Sequence, residues 1–323
     1  MIIESILIIF FALALDLSLG DPKNKFHPTV WIGSLIAKLT PSLKNSSKSI
    51  EKIGGIVLII ISSTIVISLL FILEVGISLI TIDLLWILVS VIVGGILLKT
   101  TIAIKGMEKH ALAVVDSIEN NDILSARDNL SKIVKRNTRN LDKNHVLSGV
   151  VESISENTVD GITGPLFYFG LFGLPGAFFY RVINTADSMI GYKTNIFKNI
   201  GWFAAKCDTV LNYIPSRVTG MVMIFSAMIL GNDWKRSYQT MIRDATKTES
   251  PNAGYPMAAI AGALGTKIEK IDHYSLGDGE VLFSIEHVKS AIALMKITSI
   301  SFCGLVVIPI ILLLSYLGWW IHA

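Results

Sequence analysis

Ile56-Val-Leu-Ile-Ile-Ile-Ser-Ser-Thr-Ile-Val-Ile-Ser-Leu-Leu-Phe-Ile-Leu73 contains no charged side chain. A run of this kind, close to the roughly 20 residues that carry a helix across a hydrocarbon core, reads as a membrane span. Ile2–Leu19 and residues 297–318 read the same way, as do residues 84–98 if they borrow from their flanks. Composition agrees. The chain has 323 residues, 52% of them hydrophobic and only 16% charged, against about 25% charged in soluble domains. A net charge of +3 is too small to argue for a nucleic-acid partner. The expected fold is therefore all-α, a polytopic integral membrane protein of helices. Ile2–Leu19 carries Glu4 in place of a basic leader and lacks a small-residue cleavage site, so it is expected to be retained as a span rather than removed as a signal peptide.

All 28 basic residues fall within 23–52, 99–143, 181–217 and 235–296. The positive-inside rule puts those stretches on the cytoplasmic side of the cell (plasma) membrane. Two apolar segments, 162–180 and 218–230, fit less easily. If both crossed, the basic loop between them would face out. Residues 162–180 also hold Gly164, Pro165, Gly170, Gly173, Pro175 and Gly176, which predicts repeated helix breaks and backbone groups that lipid cannot satisfy. A broken or re-entrant pair around a polar pocket is the expected arrangement, with two true crossings as the alternative. Between 106 and 141, Leu112, Val115 and Ile118, then Leu130, Ile133 and Val134, recur at helical spacing around the turn Glu119-Asn-Asn-Asp122. This predicts a cytoplasmic helical hairpin. The whole, 1–323, reads as one membrane-embedded domain with a helical insertion over 99–161. Cys207 and Cys303 show no metal-ligand spacing and read as packing residues.

Chemistry concentrates in a few blocks. Glu152-Ser-Ile-Ser-Glu156-Asn-Thr-Val-Asp160-Gly161 places a carboxylate at every fourth residue. On a helix this stacks Glu152, Glu156 and Asp160 on one slowly drifting stripe. Like charges so arranged call for a divalent cation, a cationic substrate, or basic partners from 127–143. Arg181, Asn184, Asp187, Ser188 and Gly191 share a helical face opposite Val182, Ile183, Ala186, Met189 and Ile190. Such a polar stripe is either a site or an internally paired network joining two helices. Asp16 lies inside the first apolar helix, followed by Asp21-Pro22 and His27-Pro28. His27 is as much a capping residue as a substrate contact. Ser250-Pro-Asn252-Ala-Gly254-Tyr255-Pro256 predicts a rigid turn whose amides could hold an anion, or an ordinary turn before a packing helix. Phosphate-binding loops, dinucleotide-binding glycine patterns, paired-histidine metal motifs and nucleophile elbows are absent.

In this order the blocks resemble the adenosylcobinamide-phosphate synthases of cobalamin biosynthesis, also called cobinamide synthases. The matching text is Leu19-Gly-Asp21-Pro22, His27-Pro28, Trp31-Ile-Gly33, Arg136-Asn-Thr to Leu141, Val151 to Gly161, Asn184-Thr-Ala-Asp187-Ser188-Met-Ile-Gly191-Tyr192, Asn212-Tyr-Ile-Pro215-Ser-Arg217 and Ser250 to Pro256. Tyr255 stands where the family pattern usually has Trp, so an aromatic is kept.

The resemblance implies an amide-forming ligase. An aminoalcohol phosphate, typically (R)-1-amino-2-propanol phosphate, would be joined to the free carboxylate of adenosylcobyric acid, with ATP and Mg²⁺ activating the carboxylate and no permanently bound cofactor. It implies catalytic and metal-binding roles for Glu152, Glu156, Asp160 and Asp187, and phosphate neutralisation by Arg181 and Arg217. Asn184 and Asn252 would orient substrate, and Asp21, His27, Asn157, Ser188 and Tyr192 complete the substrate contacts. The partners are the corrinoid, the aminoalcohol phosphate and the bilayer, with no nucleic acid; a homo-oligomer or contact with other corrinoid enzymes stays open. Two other classes compete: a transporter, whose sites are built from broken helices and buried acids, and a noncatalytic scaffold. The absence of an inverted repeat counts against transport.

Overall fold

The computed structural model describes residues 2–20, 22, 25 and 27–319, which are helical over most of their length. The helices in chain order are α1 (Ile2–Leu19), α2 (Pro28–Leu43), α3 (Lys48–Ser78), α4 (Asp83–Lys99), α5 (Ile104–Glu119), α6 (Ile123–Ser131) and α7 (Lys143–Thr158). After a π-helical turn at Val159–Thr163 come α8 (Gly164–Ile190), α9 (Trp202–Leu211), α10 (Tyr213–Ile229), α11 (Trp234–Asp244) and α12 (Gly254–Leu264). Strands β1 (Ile268–Lys270) and β2 (Tyr274–Leu276) precede α13 (Ile285–Phe302), a second π-helical turn (Cys303–Val307) and α14 (Ile308–Tyr316). The chain forms two compact units. One comprises Met1–Ala103, Gly164–Leu211 and Leu305–Ala323, the other Ile104–Thr163 and Asn212–Gly304. Residues 104–161 of the expected insertion over 99–161 thus fall in the same unit as 212–304.

Among the described residues, five helical stretches are long and apolar enough to cross a bilayer: Ile2–Leu19, Lys48–Ser78, Asp83–Glu119, Lys143–Ile190 and Ile285–Tyr316. Their large side chains do not all turn inward. Leu69, Phe71 and Ile72 of α3 and Leu84 of α4 are exposed, at 62%, 62%, 65% and 78%. Large apolar side chains exposed in such number on these helices are stable against lipid and not against water. The protein is a polytopic helical membrane protein. Lys143–Ile190 joins the four spans read from hydropathy, whereas Tyr213–Ile229, which holds most of 218–230, is shorter.

Within the first unit, Ile32, Ile36, Leu58, Ile59, Val182, Ile183 and Ala186 form a core where α2, α3 and α8 meet. Asp16 of α1 lies 3.6 Å from Lys99 at the end of α4, both buried. The intramembrane carboxylate thus has a cationic partner on a neighbouring helix. Through 162–180 the chain forms the expected broken pair: two helical runs meet at a reversal, with Gly176 packed against the Tyr168 carbonyl and the Tyr180 ring stacked on that of Tyr168 at 5.5 Å. Phe172 (φ −137°, ψ 17°) and Gly173 (φ 61°, ψ −154°) leave helical geometry, and Gly173 occupies a region open essentially to glycine alone. Pro175 comes just after that break, at the start of the next helical run, where its missing N–H is an orphan in any case. The Leu171 carbonyl, left without a helical donor by the break, accepts the Trp319 indole N–H at 3.1 Å. Pro165 directly follows the π-helical turn, whose wider ring relieves the clash at the preceding turn. The prolines and glycines therefore gather at two points, the π-helical turn and the reversal between the two helical runs.

The second unit contains the expected helical hairpin, α5 and α6, turning at Asn121 (φ 57°). The helix stops at Ser131, short of Ile133 and Val134. The following segment folds back on α6, with Thr138 Oγ1 donating to Arg127 O (2.9 Å) and Arg127 Nε to Leu141 O (2.7 Å). The β1–β2 hairpin, unforeseen from sequence, turns through Asp272 (φ 62°) and pairs Lys270 with Tyr274. It is tied to α11 by the buried Asp244, which accepts from Arg243 (2.7 and 2.8 Å) and from Gly277 N (2.9 Å) and lies 2.6 Å from Lys247. Burial alone would raise the Asp244 pKa. The hydrogen bonds from Arg243, Lys247 and Gly277 outweigh it and hold the carboxyl well below the usual range.

Gly173→Ala is expected to lower stability by about 1–3 kcal/mol through the forced backbone conformation, read as an earlier thermal unfolding midpoint in detergent. Because the folded-state pKa of Asp244 is depressed, its contribution is present above the unfolded value of 3.8 and disappears as pH falls through the folded value. Asp244→Asn should therefore destabilise at neutral pH and flatten the acid limb of a stability–pH profile.

Candidate functional site

The fourfold repeat of Glu152, Glu156 and Asp160 falls on α7 and the π-helical turn, as a helical reading requires. Depth separates the three. Glu152 is buried (7% exposed), Glu156 is exposed, and Asp160 is intermediate. Glu152 Oε2 lies 3.3 Å from Arg136 Nη2, and its Oε1 accepts the Tyr274 hydroxyl at 3.0 Å. Arg136, from the segment before α7, also donates to Glu269 O at 3.3 Å. Its seat depends on Gly149, where a Cβ would stand 2.6 Å from the guanidinium. Burial, with the Glu152 carboxylate beside it, pushes the Tyr274 phenol well above its ordinary range, so Tyr274 stays protonated and remains the donor. Of the readings open from sequence, Glu152 follows the one with a basic partner from 127–143. Tyr274 escaped sequence reading because it arrives on a strand remote in the chain.

Asp160 Oδ1 accepts from Asn212 Nδ2 at 3.2 Å. The turn that carries Asp160 is closed by Thr163, whose Oγ1 donates to Thr158 O at 3.0 Å and lies 2.6 Å from Thr219 Oγ1 on α10. Since Thr163 spends its proton on the carbonyl, Thr219 is the donor between the two hydroxyls. Single π turns inside α-helices recur at functional sites because they shift the phase of the side chains beyond them. Asn157 turns back on its own helix, donating to Ser153 O at 2.9 Å.

A second polar group in the same unit lies on α10 and before α12. Arg217 is one turn beyond Tyr213, and its guanidinium carbon sits 3.6 Å from the Tyr213 ring centroid and 4.3 Å from that of Tyr255. Nη1 donates to Tyr213 O (2.7 Å) and to Asn252 Oδ1 (3.2 Å). Arg217 and Asn252, singled out separately in the sequence, are thus brought together. The two tyrosines were not singled out.

The α8 stripe belongs to the other unit. Arg181 Nη1 donates to Asn184 Oδ1 (3.3 Å), and Asn184 Nδ2 reaches Asp208 Oδ1 of α9 at 3.4 Å. Asp208 is a member that the sequence reading missed, since α9 shows no comparable polar face. Asp187 is half-buried near the end of α8, folded against Gly191, where any Cβ would collide with its carboxylate. Ser188 and Tyr192 are exposed. His27 is the N-cap of α2, its Nδ1 accepting from Thr29 N at 3.3 Å. Asp21 lies outside the described residues.

Among the described residues, no group of three or more His, Cys, Asp or Glu side chains is placed to hold a metal ion. Glu152, Glu156, Asp160 and Asp187 are therefore not an all-protein metal cage. Mg²⁺ typically needs only one or two carboxylates when phosphates supply its other ligands, and Glu156 and Asp160 fit that role better than Glu152, which Arg136 and Tyr274 already engage.

The fold and these constellations define a polytopic helical membrane protein with buried carboxylate and amide groups and partly buried arginines. A family model described as CobD/Cbib protein matches residues 9–299. The probable cobalamin biosynthesis protein CobD of Methanothermobacter thermautotrophicus is 41% identical over 295 residues, covering 91% of this chain and 94% of its own length. That of Methanocaldococcus jannaschii is 38% identical over 318 residues, 98% of both chains. The cobalamin biosynthesis protein CobD of Clostridium perfringens is 36% identical over 311 residues, 94% of this chain and 96% of its own. The chain belongs to the CobD/Cbib family, and with that goes a role in cobalamin biosynthesis. No solved structure matches it.

Glu152→Gln should lower thermal stability by about 3–5 kcal/mol, because it leaves the Arg136 charge buried and uncompensated. Glu156→Gln, at an exposed position, should change stability by about 0.5 kcal/mol or less and act on ligand binding or turnover. Parallel unfolding curves in detergent check both.

Proposed function

We propose that the chain catalyses amide bond formation between the free carboxylate of adenosylcobyric acid and an aminoalcohol phosphate, giving adenosylcobinamide phosphate. The observation that carries this reading is family membership over nearly the whole chain, with the family's carboxylate, asparagine and arginine blocks present. An amide does not form spontaneously from a carboxylate and an ammonium in water, so the carboxylate must be activated. ATP would transfer its terminal phosphoryl group to the carboxylate oxygen, releasing ADP. The amine then attacks the acyl carbon, the C–O bond to phosphate breaks, and inorganic phosphate leaves with one proton released.

The residues are suited to particular parts of that sequence. Glu156 and Asp160, the carboxylates of the repeat that are not buried, would take the ammonium proton, as a general base must before attack. Mg²⁺ held by nucleotide phosphates with one of these carboxylates would neutralise developing charge. Arg217 and Arg181 have the planar fork that suits phosphate oxygens, and Asn252 and Asn184 adjoin them. Arg136 and Tyr274 fix Glu152, so its role is to hold the strand hairpin and α7 together. The basic stretches are assigned to the cytoplasmic side of the plasma membrane, where ATP is supplied.

Detergent-purified protein incubated with adenosylcobyric acid, aminopropanol phosphate, ATP and Mg²⁺ should yield the amide by mass spectrometry, and Glu156→Gln should reduce it by roughly the 10²–10⁴-fold of a lost general base. Folded wild-type protein that yields no product would overturn the synthase reading. Uptake of unmodified corrinoid into liposomes would then place the chain among transporters.

A further inference from the structure

We infer that Tyr213 and Tyr255 are positioning residues that hold Arg217 as a fixed fork for a phosphate group, an assignment that rests on the synthase reading for the identity of the ligand. A free arginine samples many rotamers, and a flexible guanidinium loses that freedom when it binds. Arg217 has been immobilised in advance. Its guanidinium carbon lies 3.6 Å from the Tyr213 ring centroid and 4.3 Å from that of Tyr255. Both contacts are favourable, since a guanidinium stacks on aromatic faces and a cation is drawn to the ring quadrupole. Tyr213 lies one helical turn before Arg217 on α10, which brings the two onto the same face. Tyr255 comes from the first turn of α12.

The hydrogen bonds then fix which edge is presented. Nη1 has two hydrogens, and Tyr213 O and Asn252 Oδ1 accept from it at 2.7 and 3.2 Å. Among the described residues no hydrogen bond engages Nε or Nη2. Those two nitrogens form the side-on edge of a guanidinium, whose parallel N–H groups match two oxygens of one phosphate or carboxylate. Stacking sets the plane and the Nη1 bonds set the rotation within it, so the remaining donors point in one direction. Pre-organisation of this kind raises affinity by removing the ordering cost from the binding step. A lysine would keep the charge and lose the plane, the stacking and the paired donors.

Two substrates of the proposed reaction carry phosphate, the aminoalcohol phosphate and ATP, and kinetics separate them. Arg217→Lys, Tyr255→Leu, Tyr213→Leu and Tyr255→Trp are assayed for kcat and KM with each substrate varied, and for the preference for aminopropanol phosphate over aminopropanol. Isothermal titration with aminopropanol phosphate, aminopropanol and ATP accompanies each variant. Arg217→Lys should weaken one phosphate ligand by about tenfold or more, the worth of a bidentate charge-assisted pair, with affinity for the unphosphorylated amine unchanged. Tyr255→Leu and Tyr213→Leu should shift the same ligand in the same direction, and Tyr255→Trp should restore what Tyr255→Leu loses. If the aminoalcohol preference falls, the fork reads the aminoalcohol phosphate. If KM for ATP rises alone, it reads the nucleotide. A uniform loss toward phosphorylated and unphosphorylated ligands, or unchanged phosphate affinity in Arg217→Lys, overturns the inference. Binding that depends on Arg217 in a wild type that forms no amide would keep the fork and reject the synthase.

Discussion

No water reaches the hydrocarbon core of a bilayer, so each backbone carbonyl freed there must find a protein donor. That constraint shapes the stretch that departs most from a simple helix. The chain breaks helical geometry once in α8, at Phe172 and Gly173, and puts Pro175 just beyond. The Leu171 carbonyl freed at the break is taken by the Trp319 indole. At the other end of the same helical run, the π-helical turn Val159–Thr163 is closed by hydroxyls, with Thr163 bonding the Thr158 carbonyl and Thr219 bonding Thr163. Irregular backbone occurs where side chains repair it, and one of those places also carries Asp160.

The same accounting governs charge. Asp16 sits against Lys99, and Glu152 against Arg136 and Tyr274. A buried carboxylate with a cationic neighbour is a structural joint before it is a reagent. Glu152 and Glu156 are one helical turn apart yet belong to different environments, one in the protein interior and one at its surface. Proton transfer and metal binding with phosphates need a carboxylate that a substrate can reach, which favours Glu156 and Asp160. In Arg217 the opposite logic operates. Its charge is held between aromatic rings with one edge of donors unengaged among the described residues, an arrangement better suited to a ligand than to a permanent partner.

Much of this was legible in the chain. Uncharged apolar runs announced the spans, helical spacing announced the α5–α6 hairpin and its turn, and the fourfold carboxylate repeat lies on a helix as its spacing required. The family blocks picked out Arg136, Arg217 and Asn252. The prolines and glycines of 162–180 announced the broken pair, but not that the reversal falls at Phe172 and Gly173. A proline's effect depends on whether the residue four positions earlier still lies in the same helical run, and that is a property of the folded backbone.

The sequence by itself determined the membrane class, the helical character and the family, because hydrophobicity and spacing act locally along the chain. Only the tertiary structure decided which charges are joints and which are accessible, because partners such as Tyr274 for Glu152, Asp208 for Asn184 and Tyr255 for Arg217 come from distant segments. A carboxylate's chemistry follows from its burial and its neighbours, and neither can be read from its place in the chain.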